Sequence, residues 1–399
     1  MDVVIVGAGQ AGAAAAAKLR SLSPEAKITL LGAEPQAPYQ RPPLSKAYLL
    51  GELPLERLML RAPDFWEAQK IDLRTGVEVT SIDRAARAVE TSAGRFSYDH
   101  LILATGSRPR LWPADLGGDL SGICAVRTLA DVDAMAPEYI EGRHVLILGG
   151  GYIGLEAAAV ARKKGLRVTL AEAAPRILQR VAAPETSDWF RALHQARGVE
   201  IIEGTPVARL TGTNGRVSGA ELSDGRHIAC DFVILGIGIL PETALAEAAG
   251  LVIDNGIATD ARGRTSDPAI RAIGDCASFP SARGRIRLES VPHAIDMGDC
   301  VAADIAGQGA DYQPKPWFWS DQYEVKLQIA GLNTGYDRVV IRETPPARSH
   351  WYYQGDRLLA VDAMNDPRAF MIARRLIEAG RSADPALVAD PATDLKALM

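Results

Sequence analysis

Two short glycine runs set the terms on which this chain can fold. The first, Gly7-Ala8-Gly9-Gln10-Ala11-Gly12, follows the apolar run Val3–Val6 and precedes an alanine-rich stretch that reaches Arg20. The second, Gly149-Gly150-Gly151-Tyr152-Ile153-Gly154, follows Val145–Leu148 and precedes a stretch from Leu155 to about Lys164. Short apolar runs of this kind read as parallel strands buried on both faces, and alanine is the best helix former. Each run therefore reads as strand, tight turn and helix. A second strand then ends in an acid: Ile28–Leu31 leads to Glu34, and Val168–Ala171 to Glu172. Both acids stand about 20 residues beyond the last glycine, the spacing of a dinucleotide-binding fingerprint. One such motif is weak evidence; two, each in its full context, are strong. Without a Cβ, glycine lets the backbone approach a pyrophosphate. The helix N-terminus presents N–H groups and partial positive charge, and the acid accepts from ribose hydroxyls. The chain is expected to hold two dinucleotides.

Its 399 residues leave room for two or three domains. A formal net charge of −5 provides no bulk basic field, so nucleic acid is not an expected partner. Cys124, Cys230, Cys276 and Cys300 are too far apart in sequence for a CxxC or CxxxxC pair. A disulfide framework, a zinc ribbon and an iron–sulfur site are not expected, and no other metal site is foreseen. The N-terminus lacks the basic start of a signal peptide, and no run of about 20 apolar residues occurs. The expected location is cytoplasmic, with no membrane association.

Beyond the second fingerprint, Val199–Ile202, Val217–Leu222 and Phe232–Leu235 read as strands, with Asn214-Gly215 and Asp224-Gly225 as hairpin turns. From about Pro314 the character changes. Val339–Ile341, Trp351–Tyr353 and Arg357–Asp362 read as strands, and a helix is expected from about Asp366 to Ala379. The expected fold class is α/β: two Rossmann-like dinucleotide-binding domains and a small α+β C-terminal domain behind a linker at about 308–316.

Six motifs, the second fingerprint among them, carry a resemblance over the whole chain. They are Tyr39-Gln-Arg-Pro-Pro-Leu-Ser-Lys46, Ala104-Thr-Gly-Ser-Arg-Pro109, Gly149-Gly-Gly-Tyr-Ile-Gly-Leu-Glu156, Ile273-Gly-Asp-Cys-Ala277, Glu289-Ser-Val-Pro-His-Ala294 and Pro316-Trp-Phe-Trp-Ser-Asp-Gln322. In order and spacing the chain resembles the FAD-dependent NADH:ferredoxin reductases of bacterial oxygenase systems, within the glutathione-reductase-like superfamily. The resemblance implies that the first fingerprint binds FAD and the second NADH. It implies a discontinuous FAD domain at 1–107 and 241–312, an NAD domain at 108–240 and a C-terminal domain at 313–399. The crossovers fall at Thr105-Gly106 and at Gly236–Pro241.

Disulfide reductases of that superfamily carry a redox CxxxxC where this chain has Arg-Pro-Pro-Leu-Ser-Lys. A protein dithiol beside the flavin is therefore excluded at this position. The resemblance implies Lys46 near flavin N5, Glu156 paired with it by the nicotinamide, and Trp319 against the isoalloxazine, with Trp317 as a competitor. The alternative for Glu156 is a first-turn acid complementing the helix dipole. Arg41 would meet FAD phosphate, Asp275 the ribityl chain, and the Val291 backbone the ring edge. Val79, Ala104, Thr105, Gly106, Arg127, Gly274 and Glu289 join Gly7, Gly9, Ala11, Gly12 and Glu34 as cofactor-binding positions. Gly149, Gly151, Tyr152, Ile153, Gly154, Glu172 and Gly238 serve the second nucleotide. Glu172 repels a 2′-phosphate and favours NADH over NADPH.

The implied reaction passes hydride from NADH to FAD and single electrons onward to a [2Fe–2S] ferredoxin that serves a cytochrome P450 or ring-hydroxylating oxygenase. That partner would dock transiently by electrostatic attraction, with Arg283, Arg285 and Arg287 as candidate docking cations and Arg108, Arg110 and Lys315 near other motifs. Other readings are a reductase of rubredoxin or another acceptor, a disulfide or peroxide reductase, and a flavoprotein that senses NADH.

Overall fold

The computed structural model describes residues 1–281 and 284–399. The chain divides into two compact units. The first comprises Met1–Gln40, Pro54–Arg108 and Ile239–Pro316; the second comprises Arg41–Leu53, Pro109–Gly238 and Trp317–Met399.

At the centre of the first unit is a five-stranded parallel sheet in the order Ile270–Ala272, His100–Leu103, Asp2–Val6, Lys27–Leu31, Ile71–Arg74. Val3, Val4, Ile5, Ile28 and Leu30 are buried throughout, as a strand covered on both faces requires. The helix Gln10–Leu22 owes its alanines to a close neighbour. A Cβ on Gly298 of the helix Val291–Ile305 would come within 2.9 Å of the Ala11 carbonyl oxygen, so the two helices meet through their smallest residues. An antiparallel sheet of Val79–Asp83, Ala88–Thr91 and Gly94–Ser97 completes the unit with a small sheet around Ala277–Ser281.

The second unit repeats the parallel sheet, in the order Val199–Glu203, Arg167–Glu172, His144–Leu148, Phe232–Leu235, Ile123–Ala125. A meander, Val207–Thr213, Arg216–Leu222 and His227–Ala229, turns at the expected Asn214-Gly215 and Asp224-Gly225. The chain then ends in a five-stranded antiparallel sheet, in the order Trp317–Gln322, Val325–Gly331, Arg357–Met364, Ala347–Gln354, Arg338–Thr344. The helix Pro367–Glu378 covers it, packing Phe370, Ile372 and Leu376 against Trp351, Tyr353 and Val361.

The fold class is the expected one. Two strands of the last sheet, Trp317–Gln322 and Val325–Gly331, escaped the sequence reading. Their hairpin turns at Tyr323-Glu324, with no glycine or asparagine to signal it; Tyr323 itself takes the left-handed conformation, φ +56°. Residues Arg41–Leu53, expected with the FAD domain, lie in the second unit.

Candidate active site

In each fingerprint the glycines divide the work between packing and access. A Cβ on Gly7, whose φ is +111°, would lie 2.2 Å from the Ala104 carbonyl oxygen, and one on Gly12 would lie 2.0 Å from that of Gly7. The second turn repeats this: Gly149, φ +102°, would meet the Gly236 oxygen at 2.4 Å, and Gly154 the Gly149 oxygen at 2.0 Å. The middle glycines, Gly9 and Gly151, face open space within 4 Å. They cap the helices Gln10–Leu22 and Tyr152–Lys163, which have no side-chain cap and no acid in the first turn. By contrast Thr128, Ser290 and Asp366 each cap their own helix with a side chain. An open approach and uncapped N–H groups fit a pyrophosphate at both turns.

Around the first turn, Ala104 and Thr105 follow the strand His100–Leu103, and the Thr105 hydroxyl donates to the Glu242 carbonyl at 2.6 Å. Gly106 takes φ +72° and accepts from Glu242 N–H at 2.9 Å, which stitches the two crossovers together. Glu34 accepts from the Tyr39 hydroxyl. Gly274, φ +72°, sits against Ala11, where an added Cβ would approach the Ala11 Cβ to 3.0 Å. The next residue, Asp275, accepts from the Ser107 hydroxyl at 2.9 Å. Val291 opens its helix behind the Ser290 cap, Glu289 pairs with Arg287, and Val79 is buried at the start of its strand.

In the second unit, Glu172 spans the glycine turn. Its Oε2 accepts from Gly150 N–H at 2.6 Å and its Oε1 from Ala174 N–H at 2.7 Å. Each oxygen keeps a lone pair for a ribose hydroxyl. Ile153 is 46% exposed in the first helical turn. Tyr152 lies against Phe318, with ring centroids 5.0 Å apart. Burial, and then the Asp362 carboxylate, push the Tyr152 hydroxyl well above its ordinary pKa. Gly238, φ +98°, accepts from Arg110 N–H at 2.9 Å. Arg41 reaches the Arg127 carbonyl at 2.7 Å, so these two expected cofactor residues are brought together.

The segment Arg41–Leu53 forms a tight helical turn at Leu44–Tyr48, broken at Lys46, whose φ of −124° and ψ of −108° are non-helical. The Lys46 ammonium stands 2.9 Å from Glu156 Oε2, with the side chains 16% and 4% exposed. Glu156 lies beyond the first turn of its helix, so it is not a dipole-complementing acid. Burial raises its pKa; Lys46, the Ser320 hydroxyl and the Asp321 N–H pull the other way. Trp317 packs on Phe370 under the Arg374 guanidinium, which ties it to the C-terminal core. Trp319 neighbours Trp317 and Phe318 and stays partly exposed.

Two candidate docking cations are already engaged. Arg285 donates to the Thr259 and Ser278 carbonyls and stands 3.5 Å from Asp254, and Arg287 holds the Asp275 carbonyl and Glu289. Neither offers an unpaired positive charge. Arg283 lies outside the described residues. Arg108, paired with Glu242 at 3.3 Å, Arg110 and Lys315 are exposed.

Residues 1–298 match the family model described as pyridine nucleotide-disulphide oxidoreductase, and 317–399 match the reductase C-terminal model. The chain belongs to the pyridine nucleotide-disulphide oxidoreductases. It is 43% identical to rhodocoxin reductase of Rhodococcus erythropolis, over 99% of this chain and 94% of the relative. Among solved structures, the covalent putidaredoxin reductase–putidaredoxin complex matches with a TM-score of 0.96 at 42% identity, covering 100% of this chain and 97% of that one. The ferredoxin reductase for the CYP199A2 system from Rhodopseudomonas palustris matches with a TM-score of 0.96 at 40% identity and full coverage of both.

As a pyridine nucleotide-disulphide oxidoreductase, this chain departs from the disulphide chemistry in the family's name. Arg41–Leu53 contains no cysteine. Burial pushes Cys124 up to about 11 and Cys230 up to about 12, and it raises Cys276 and Cys300 as well. All four are protonated thiols at neutral pH and poor nucleophiles. Among the described residues no cluster of three or more His, Cys, Asp or Glu could hold a metal, and no helix is long and apolar enough to cross a membrane. Ser320, Gln322 and His194 behind Glu156 were missed from sequence. Nothing in the sequence marks Ser320, Gln322 or His194 as buried.

Proposed function

We propose that this protein is an NADH:ferredoxin reductase that uses FAD. The observation that carries the reading is the Lys46–Glu156 ion pair in a cysteine-free segment, where a disulfide reductase needs its dithiol. FAD, when bound, accepts two electrons as hydride and releases them singly to a one-electron acceptor.

The chain's own residues bind, orient and hold charge. Gly9 admits the FAD pyrophosphate and Gly151 that of NADH. Glu34 and Glu172 accept from ribose hydroxyls, and Glu172 repels a 2′-phosphate. Arg41, held with Arg127, meets FAD phosphate; Asp275 takes the ribityl chain and the Val291 backbone the ring edge. Lys46 presents its ammonium where negative charge develops, and Glu156, 2.9 Å away, aims it. Trp319 is the aromatic partner of the flavin, since Trp317 is bound into the core. The functional division that accompanies this reading is 1–107 with 241–312 for FAD, 108–240 for NADH and 313–399 for the C-terminal domain.

The electron acceptor is a [2Fe–2S] ferredoxin of an oxygenase system, held briefly. Electron transfer needs close approach without a bond, so a modest interface steered by charge suffices. With Arg285 and Arg287 engaged elsewhere and Arg108 paired with Glu242, that charge comes from Arg110 and Lys315. The use of NADH and four free cysteines support a cytoplasmic location.

Stopped-flow absorbance tests the reading. NADH should bleach the flavin rapidly, and a [2Fe–2S] ferredoxin should restore its colour faster than rubredoxin, a disulfide or oxygen does. Rapid recovery with a disulfide, or none with any one-electron acceptor, overturns it.

A further inference from the structure

Behind Glu156 runs a line of buried polar groups that the reaction as described does not use. The Ser320 hydroxyl is 2.8 Å from Glu156 Oε1. Gln322 Nε2 is 3.1 Å from Ser320 Oγ, and Gln322 Oε1 is 2.9 Å from His194 Nε2. His194 Nδ1 is 3.3 Å from the Tyr323 hydroxyl. Ser320, Gln322 and His194 are wholly buried. They come from two elements distant in sequence, the strand Trp317–Gln322 and the helix Pro184–Gln195.

One acceptor sets the direction of the whole line. An ionised carboxylate can only accept, so Ser320 must spend its single proton on Glu156. Its oxygen then accepts from an N–H, which fixes the Gln322 amide with nitrogen toward Ser320 and oxygen toward His194. That oxygen requires the imidazole proton on Nε2. His194 Nδ1 is left as an acceptor, and the Tyr323 hydroxyl donates to it. Every group in the line has one consistent role. Tyr323 reaches its place from the left-handed conformation, φ +56°, uncommon for an aromatic residue, and stacks beneath the Arg197 guanidinium, 4.5 Å from the ring centroid.

We propose that Ser320, Gln322 and His194 are positioning residues for Glu156: a polarised donor line that keeps its carboxylate ionised and aimed at Lys46. The inference rests on the NADH-dependent reading above and adds residues that touch neither cofactor. Glu156 faces Lys46 from the turn Leu44–Tyr48, and Ser320 and the Asp321 N–H from the strand. His194 faces Gln322 and Tyr323, with Arg197 on the next turn of chain and Glu324 paired to that arginine. Burial and Arg197 lower the His194 pKa to about 4, which leaves the ring neutral, as the line demands. Because an amide sits between Ser320 and His194, the line orients groups and does not conduct protons.

The test uses FAD-loaded protein without NADH. Infrared spectroscopy follows the protonated-carboxyl band of Glu156 with pH, the band being assigned by its loss in Glu156→Gln. Removing a hydrogen bond to a charged group should raise the midpoint by about one pH unit in Ser320→Ala. Gln322→Leu should raise it by less, and should add nothing in the Ser320→Ala background. Ser320→Thr, which keeps the hydroxyl, should restore the wild-type midpoint. Nitrogen-15 NMR of the unmodified protein should find His194 neutral from pH 5 to 8 with its proton on Nε2, and this measurement stands if a variant fails to fold. An unmoved midpoint in Gln322→Leu, additive shifts, or a proton on Nδ1 each overturn the proposal. Neither readout needs hydride transfer, so absence of flavin bleaching by NADH would count against the proposed function alone. With NADH present, the acid limb of the flavin-reduction rate should move with the midpoint; a limb that stays put while the midpoint moves overturns the positioning role.

Discussion

Lys46 and Glu156 are 110 residues apart in sequence, yet their side chains meet at 2.9 Å in a site where the carboxylate is only 4% exposed. A buried pair of this kind earns little net stability when intact and loses much when one partner goes. Lys46→Met should cost about 3 kcal/mol. The sign with pH follows from Glu156, whose folded pKa is raised above 4.5 by burial and rises further without Lys46. A raised acid contributes most when protonated, so the variant's deficit should grow as pH rises from about 4.5 and shrink in acid. Chemical denaturation at several pH values measures this; a deficit independent of pH contradicts it. Flavin reduction by NADH should slow in both single variants, and the double variant should be little slower than either.

The glycines offer a separation of folding from binding. Gly9→Ala and Gly151→Ala place a methyl in open space and should change stability by about 1 kcal/mol or less. Gly9→Ala should lower FAD affinity at least tenfold; Gly151→Ala should leave FAD in place and raise the KM for NADH. Gly12→Ala and Gly154→Ala drive a methyl onto a backbone oxygen and should yield little folded protein. Equal loss of soluble protein in all four would refute the division of labour.

Glu172 holds the glycine turn and is proposed to hold the ribose, and its replacement should show both. Glu172→Arg should narrow the gap in kcat/KM between NADH and NADPH by about 1–3 kcal/mol. It should also lower Tm, because the Gly150 and Ala174 N–H groups lose their acceptor. An unchanged kcat/KM for NADPH would remove Glu172 from the ribose.

A second buried acid governs stability. Asp362 accepts from Thr186 and Tyr352, and burial raises its pKa from 3.8 to about 6. An acid so raised favours folding below its unfolded pKa and loses that advantage as pH climbs through the folded value. The wild type should forfeit roughly 3 kcal/mol between pH 4 and 6 that Asp362→Asn retains. Calorimetry across that range should find the variant the more stable protein above pH 6; parallel Tm curves would count against the assignment.

Arg285 and Arg287 test the docking surface by their silence. Since both guanidiniums are spent on carbonyls and carboxylates of their own chain, neutralising them should lower Tm and leave the salt dependence of ferredoxin reduction unchanged. Neutralising Arg110 and Lys315 should flatten that dependence, because steering between exposed charges is screened by salt. A flattened slope from the first pair would return the docking site to them.

What sequence revealed was what the backbone dictates locally. Gly7, Gly12, Gly149 and Gly154 stand where no other residue fits, and a strand buried on both faces announces itself by composition. What it hid depends on distant chain. Trp317–Gln322 bears large apolar groups on both faces, so it shows no alternation, and the buried Ser320 and Gln322 meet Glu156 and His194 of two distant helices, Tyr152–Lys163 and Pro184–Gln195. Arg285 and Arg287 look like a solvated basic run until Asp254, Ser278 and Asp275 are seen to claim them.

Each unit is assembled from three separate stretches of chain. No single cut of the gene therefore releases either one. A fragment ending at Gly238 would leave the parallel sheet of the first unit without its Ile270–Ala272 edge strand and the helix Gln10–Leu22 without the partner against which its alanines lie. It would also deprive Glu156 of Ser320. Anyone wishing to graft this electron-transfer machinery onto another protein must carry both units across together, with their stretches in order.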